Sequence, residues 1–178
     1  MLADEELLTA VRAGDVRAFD ALYQRYERRL FGYIKRSVGD LQVAEDLFQD
    51  VFFKVVADAS FDPERGRFGA WLFTVARNRC QQHQRQLAQR GAKDHLVDTT
   101  PAPAADPEEA VGRQRQVEAA MAGLTEPQRQ LLLLKQVGQL TYREIALALG
   151  VAEGTIKSRL HDATHALRRR LADHGGTP

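Results

Sequence analysis

Cysteine is nearly missing from this chain: Cys80 stands alone among 178 residues. A single thiol excludes an intramolecular disulfide and any multi-cysteine zinc site, and it fits a reducing compartment. Long apolar runs are missing too. The longest stretch of large aliphatic residues is Leu131–Leu134, far short of the roughly 20 residues a membrane-spanning helix needs. The N-terminal Met-Leu-Ala-Asp-Glu-Glu is acidic where a secretory signal would be basic and then apolar, so a cytoplasmic location and no membrane insertion are expected. Alternation of period two is scarce, so strands are not required. No Gly-rich phosphate loop and no coherent Ser/His/Asp or Cys/His set occurs, and the five histidines show no ligand spacing beyond His161/His165. Neither an enzyme nor a cofactor is expected.

What is present is a charge pattern hidden under a net charge of +1. Residues 1–64 carry 8 Lys/Arg against 13 Asp/Glu, whereas 65–90 carry six arginines and no acid. Residues 91–112 hold one lysine against five acids, and 113–178 hold 10 basic residues against six acidic ones. Basic blocks set between acidic ones suggest polyanion-binding surfaces on a chain that is not uniformly adhesive.

The stretch 91–112 contains three of the six prolines and no large apolar residue between Val97 and Val111. Proline removes backbone donors and small acidic residues offer little to bury, so this segment is expected to be an extended, mobile linker. It divides the chain into units at 1–90 and 113–173. Apolar residues recur at three and four in both, which predicts an all-α protein of two small helical domains. In the first, the pattern breaks at Gly14-Asp15 and again at Gly39, giving a short and a long helix. A third helix is predicted over roughly 43–57, then a Pro/Gly-containing loop over 58–67, then a fourth helix over 68–89. In the second, Thr125-Glu126-Pro127-Gln128 and Thr141-Tyr142-Arg143-Glu144 are capping boxes that mark two helix starts. A final helix is predicted over 153–172.

Three constellations carry chemistry. The run 145–160 has helix-turn-helix spacing: Ala146 allows close crossing, Gly150 permits a positive φ, and Ile145, Val151, Ile156 and Leu160 fill the seam. Such a unit sets its second helix in a major groove, and Lys157, Arg159 and His161 lie on its polar face. An ordinary helical hairpin has the same apolar spacing. Arg168-Arg169-Arg170 suits phosphate or solvent and carries little sequence information. Around the fourth helix, Arg65, Arg67, Arg77, Arg79 and Arg85 interleave with Phe61, Phe68, Trp71 and Phe73, the mixture that holds a single strand by charge and by capture of exposed bases. Core packing accounts for Trp71 and Phe73 equally well. Finally, Asp46 and Asp50 lie one turn apart on one helix face. A divalent metal would need ligands from neighbouring helices and no Glu-x-x-His partner occurs, so a protein-binding face with Leu47 and Phe53 is preferred.

Three blocks, Ala44-Glu45-Asp46-Leu47-Phe48-Gln49-Asp50-Val51-Phe52, Phe68-Gly69-Ala70-Trp71-Leu72-Phe73-Thr74-Val75-Ala76-Arg77-Asn78 and Gly154-Thr155-Ile156-Lys157-Ser158-Arg159-Leu160, occur in this order around a linker. In these the chain resembles the bacterial RNA polymerase sigma factors of the extracytoplasmic function (ECF) group, over about residues 4–90 and 113–171. The resemblance implies a sigma region 2 bundle, a linker at 91–112 and a region 4 helix-turn-helix at 113–173. It implies that Asp46, Leu47, Gln49, Asp50 and Phe53 bind the β′ clamp helices of core RNA polymerase, and that no metal is needed there. It implies that Phe61, Arg65, Arg67, Phe68, Trp71, Arg77, Asn78 and Arg79 recognise and melt the −10 element. Arg143, Thr155, Lys157, Ser158, Arg159 and His161 would engage −35 DNA, Arg143 through phosphate, with the apolar flank of that unit meeting the β flap. Control by an anti-sigma factor and a monomeric free state are further implications.

Three positions depart from the family pattern. Asp50 stands where Glu is frequent, Gln82 where Asp is common, and Asp162 where a DNA-contacting Arg is common. An acid facing DNA costs affinity, so either Asp162 turns away or the promoter preference is unusual. Two readings from other classes remain: a stand-alone helix-turn-helix regulator whose first domain senses or dimerises, and a helical metal-dependent hydrolase using Glu45, Asp46 and Asp50. Dependence on core polymerase separates the first and metal analysis the second.

Overall fold

A computed structural model describes residues 2–57, 60–91 and 108–175. Among them the regular structure is helical: α1 (Asp4–Arg12), α2 (Val16–Val38), α3 (Leu41–Ala57), α4 (Phe68–Gly91), α5 (Glu108–Ala122), α6 (Glu126–Gln136), α7 (Tyr142–Leu149) and α8 (Glu153–Gly175).

Local chemistry sets the helix starts. The Asp15 carboxylate accepts from Arg17 N and Ala18 N at 2.9 and 3.3 Å, capping α2. Asp40 Oδ1 accepts from Val43 N at 2.9 Å ahead of α3. Thr125 N donates to Gln128 Oε1 at 3.2 Å with Pro127 in the first turn, completing the predicted start of α6. Each device satisfies backbone donors that the first turn of a helix leaves without partners.

α2 is the axis of the first unit, with α1, α3 and α4 packed around it. Its inward stripe, Leu22, Tyr26, Leu30, Tyr33 and Ile34, is buried against Val51, Val55, Leu72 and Ala76. A side chain of this size contributes roughly 1.5–3 kcal/mol on full burial, so the stripe determines which face α2 turns inward. In the second unit α8 packs on α5, α6 and α7, with Ile145, Ile156, Leu160 and Ala163 in the seam. The two units also meet: α2 packs on α6 and α4 on α7, and one apolar core runs through both.

The sequence-predicted helices are all present. One boundary differs. The helix α5 begins at Glu108, inside the stretch that composition assigned to the linker. The proline cluster of that stretch ends at Pro107, and helix-forming residues interrupted only by Gly112 follow up to Ala122. The extended character predicted for 92–107 lies outside the described residues. Phe73, left open between core and DNA, is fully buried, and Trp71 is half-buried against the core.

Candidate protein and nucleic-acid interfaces

On α3 the sequence-predicted face is assembled as one surface. Asp46, Gln49 and Asp50 are exposed, Leu47 is half-buried against the core, and Phe53 is 73% exposed, well beyond what a core residue shows. Neither aspartate makes an ion pair among the described residues. Beside them lies a groove of about 790 Å³ lined by Phe19, Tyr23 and Phe31 of α2 and Phe48, Phe52 and Phe53 of α3. Its floor is an interlocked set of rings, with Tyr23–Phe52 and Phe48–Phe52 centroids each 5.0 Å apart and Phe31 edge-on to Phe48 at 5.7 Å. Sequence reasoning missed the α2 side of this groove, because the residues it assigned to polymerase binding all lie on α3. The 19/23/31 spacing places all three on one helix face, but only the pairing of α2 with α3 turns that face into a groove.

Around the start of α4, aromatic residues and arginines separate by depth. Phe68 is fully buried and Phe61 is 8% exposed. Phe61, Phe68 and Trp71 form a cluster with centroids 5.5–5.9 Å apart, seated on Tyr26. Phe61 and Phe68, assigned from sequence to the DNA surface, therefore belong to the core here, and Trp71 is the ring of this cluster that stays partly open. Tyr26 donates its hydroxyl to Asp4 Oδ2, and a Cβ at Gly69 would stand 2.8 Å from that hydroxyl oxygen. The glycine makes room for the ring under α4. Arg65, Arg67 and Asn78 are exposed, while Arg77 and Arg79 are half-buried and their Nε atoms have no hydrogen-bond partner among the described residues. Gln82 is exposed further along the same helix.

The helix-turn-helix is built as its spacing predicts. Thr141 caps α7, accepting from Glu144 N at 3.2 Å, and Glu144 Oε2 returns the contact by accepting from Thr141 N at 2.8 Å. Gly150 closes α7 at φ 66°, a left-handed conformation that costs glycine little. Arg143, Lys157, Ser158, Arg159 and His161 are exposed together, and Thr155 is half-buried. Lys157 pairs with Glu153 at 3.0 Å. The ring of Tyr142 lies between Lys135 and Lys157, whose ammonium groups are 4.7 and 5.9 Å from its centroid. Lys135 and Tyr142 extend the basic face beyond the set predicted from sequence. Asp162 does not turn inward: its carboxylate is exposed, 3.7 Å from His161 Nδ1. His161 and His165 stack with centroids 4.5 Å apart. The same surface thus carries both the acid and a stacked pair of imidazoles.

The two units are joined by polar contacts, one of them buried, and by apolar ones. Arg67 Nε and Nη2 donate to Glu144 Oε1 and Oε2 at 2.5 and 2.8 Å, a bidentate pair. Burial alone would raise the Glu144 pKa, but hydrogen bonds from Arg67 and Thr141 outweigh it and hold the carboxyl down at about 2. Arg29 donates to the carbonyls of Val137 and Gly138, Tyr33 donates its hydroxyl to Gln130 Oε1, and Gln84 donates to Glu126 Oε1 at 3.3 Å. A Cβ at Gly138 would meet Leu134 O at 2.6 Å and Phe73 at 3.3 Å, so the turn after α6 packs directly on α4.

These features, an acidic and aromatic face on α3, an arginine-rich α4 and a basic helix-turn-helix, occur in a chain that matches two family models: sigma-70 region 2 over residues 22–90 and sigma-70 region 4 over 114–167. The ECF RNA polymerase sigma factor SigK of Mycobacterium tuberculosis H37Rv is 34% identical over 94% of this chain and 92% of its own length. RpoE of Cereibacter sphaeroides, also an ECF sigma factor, is 34% identical over 93% of each chain. The RNA polymerase sigma-H factor of Pseudomonas aeruginosa is 30% identical over 94% of this chain and 93% of its own. Two solved structures share the fold. CnrH, in complex with the cytosolic domain of CnrY, has a TM-score of 0.71 at 23% identity and covers 97% of this chain and 99% of its own. RpoE of Bartonella quintana, in complex with the anti-sigma factor NepR, has a TM-score of 0.72 at 24% identity, covering 88% and 98%.

The chain belongs to the sigma-70 family. Within it, it is an ECF sigma factor, a class of DNA-binding initiation factors that act with core RNA polymerase. No helix among the described residues is long and apolar enough to cross a membrane.

Proposed function

We propose that this sigma factor divides its work between three surfaces. The α3 face, with Asp46, Gln49, Asp50 and Phe53 outermost and Leu47 beneath, docks on the β′ clamp helices of core polymerase. The loop before α4 and the helix itself engage the −10 element: Arg65, Arg67, Arg77, Asn78 and Arg79 hold the backbone, and Trp71 offers an open ring edge to an unstacked base. The exposed residues of α7 and α8, Arg143, Lys157, Ser158, Arg159 and His161 with Thr155 behind them, engage −35 DNA, and the apolar flank of that unit meets the β flap. Residues 1–90 and 113–173 then act as region 2 and region 4. The free chain works in the cytoplasm as a monomer and without a cofactor, under the control of an anti-sigma factor such as those bound by its structural neighbours.

The observation that carries this reading is the segregation of charge by surface. Acids that make no ion pair among the described residues and an open phenylalanine share α3, while cations and a half-open indole share α4. A face with exposed carboxylates beside an apolar groove suits a protein helix and repels DNA; the arginine face does the reverse.

Run-off transcription tests it, using core polymerase with and without this chain on a pool of supercoiled promoter fragments, with an Asp46→Ala/Asp50→Ala variant alongside. Discrete transcripts that require the chain and fade at least tenfold in the variant are expected. Transcripts that survive the double substitution unchanged would remove the α3 assignment. Duplex binding without polymerase and no transcript would instead support a stand-alone regulator.

A further inference from the structure

Asp162 is an acid on a surface that otherwise collects cations. It stands in the third turn of α8, well past the first turn, where a carboxylate would serve the helix dipole. Ile156, Leu160 and Ala163 fill the seam, so the helical period turns Asp162 outward. Ser158 one turn before it and Thr155 two turns before it lie on the same stripe. The Asp162 side chain is 71% exposed, and the basic group nearest its carboxylate among the described residues is His161 Nδ1 at 3.7 Å, too long for a hydrogen bond. Arg159, three residues back and within reach along the helix, makes no ion pair with it. Nothing in packing, capping or pairing requires an acid at this position.

A carboxylate set against duplex DNA is repelled by phosphate, and it becomes favourable only where the groove offers it a donor. The major groove presents two, the N4 amine of cytosine and the N6 amine of adenine. On adenine the amine sits beside N7, an acceptor, which suits an amide that donates and accepts together and repels a carboxylate. On cytosine no acceptor shares the base edge with the amine, so a carboxylate oxygen meets only a donor. We infer that Asp162 reads a cytosine of the −35 element by accepting from its N4 amine, and that one C·G pair is thereby fixed in the promoter preference of this chain. The inference rests on the −35 assignment proposed above and deepens it. Thr155, Ser158 and Asp162 form the reading stripe, while the exposed Arg143, Lys157 and Arg159 flank it and offset the phosphate charge. Guanine O6 and N7 and thymine O4 are acceptors that the carboxylate cannot approach without loss. The base is therefore chosen by attraction to cytosine and by repulsion from the other three.

The test is selection by holoenzyme, assembled from core polymerase and the full chain, on a duplex pool randomised over the upstream promoter region, with the bound fragments sequenced. The parent is compared with Asp162→Asn and Asp162→Ala. The parent is expected to enrich cytosine roughly fivefold at one −35 position, the lower end for a base contact. Asp162→Asn should move that position to adenine, because an amide donates to N7 and accepts from the N6 amine. Asp162→Ala should leave the position without preference, and both variants should keep the parent's choices at the other −35 positions. Circular dichroism melts that coincide for the three proteins separate a change of preference from a folding defect. Identical base preferences in all three would overturn the cytosine contact. So would an Asp162→Ala variant that binds every sequence more tightly by one common factor, which marks the acid as plain repulsion. In both of those cases the −35 assignment stands, since the parent still selects a −35 sequence. A parent that enriches −10 sequence alone, or no sequence, removes the −35 assignment and the cytosine contact with it.

Discussion

The hydrogen bond between Tyr33 and Gln130 links α2 of the first unit to α6 of the second, and it is the most sensitive place to test whether the units fold as one. Tyr33 is fully buried and Gln130 is 4% exposed, so neither polar atom has water to fall back on. Burial also pushes the Tyr33 pKa far above its ordinary value, so the hydroxyl keeps its proton and donates at any physiological pH. Tyr33→Phe leaves Gln130 Oε1 buried without its donor, at a cost of about 1.5 kcal/mol, which for a chain of this size lowers Tm by about 3–6 °C. Gln130→Leu strands the Tyr33 hydroxyl and also removes the amide that donates to Glu126 Oε1 at 2.7 Å, so a similar loss is expected. The double variant removes both polar groups together, and its cost should fall short of the sum by about 1 kcal/mol. Urea unfolding followed by the fluorescence of Trp71, the single tryptophan, reports on the first unit. A shift of the Trp71 transition by Gln130→Leu, a substitution made in the other unit, is the required result. If that transition stays in place and the cycle is additive within about 0.3 kcal/mol, the packing of α2 on α6 does not exist in solution.

Two further outcomes are expected. Gly69→Ala puts a methyl 2.8 Å from the Tyr26 hydroxyl, whose ring is tied to Asp4 and packed on Phe68 at 5.4 Å; overpacking should outweigh the gain in helix propensity and cost about 1 kcal/mol net, with Tyr26→Phe restoring part of it in thermal melts. The Glu144 pKa is depressed to about 2 from an ordinary 4.5, so its stabilising contribution is complete above pH 4.5 and is lost as pH falls towards 2; acid unfolding of the parent chain should carry this component and Glu144→Gln should lack it, and parallel curves would refute the assignment.

Much of the fold is local and was therefore legible. Capping boxes at Thr125 and Thr141, the break at Gly14-Asp15 and the αL glycine at 150 are interactions over three or four residues, and the sequence-predicted helices follow from them. What failed was depth. Phe61 and Phe68 stand in an arginine-rich stretch where composition is the same for a ring that stacks on a base and a ring that fills the core. Only the arrival of Tyr26 from α2 decides the question in favour of the core. The groove on α2 and α3 was hidden for a related reason, since it belongs to two helices and to neither alone. Arg67 and Glu144 are 77 residues apart, and each had a sufficient local role, one as a cation of a DNA face and the other as a cap, so nothing in the sequence marked them as partners.

The charge pattern along the chain acquires a physical meaning from this arrangement. Thirteen acids lie in residues 1–64 and six arginines with no acid follow at once in 65–90, a juxtaposition that would neutralise itself if those acids paired with those arginines. Instead Asp46 and Asp50 stay exposed and without ion pairs among the described residues, and Arg67 reaches across to Glu144 of the other unit. Exposed ion pairs contribute little on their own, so stability does not require this choice of partner. Pairing Arg67 with α7 rather than α3 leaves the acids of α3 exposed. An α3 face that keeps its charge beside an apolar groove suits a partner that brings cations and apolar side chains together, as the docking proposed for it requires.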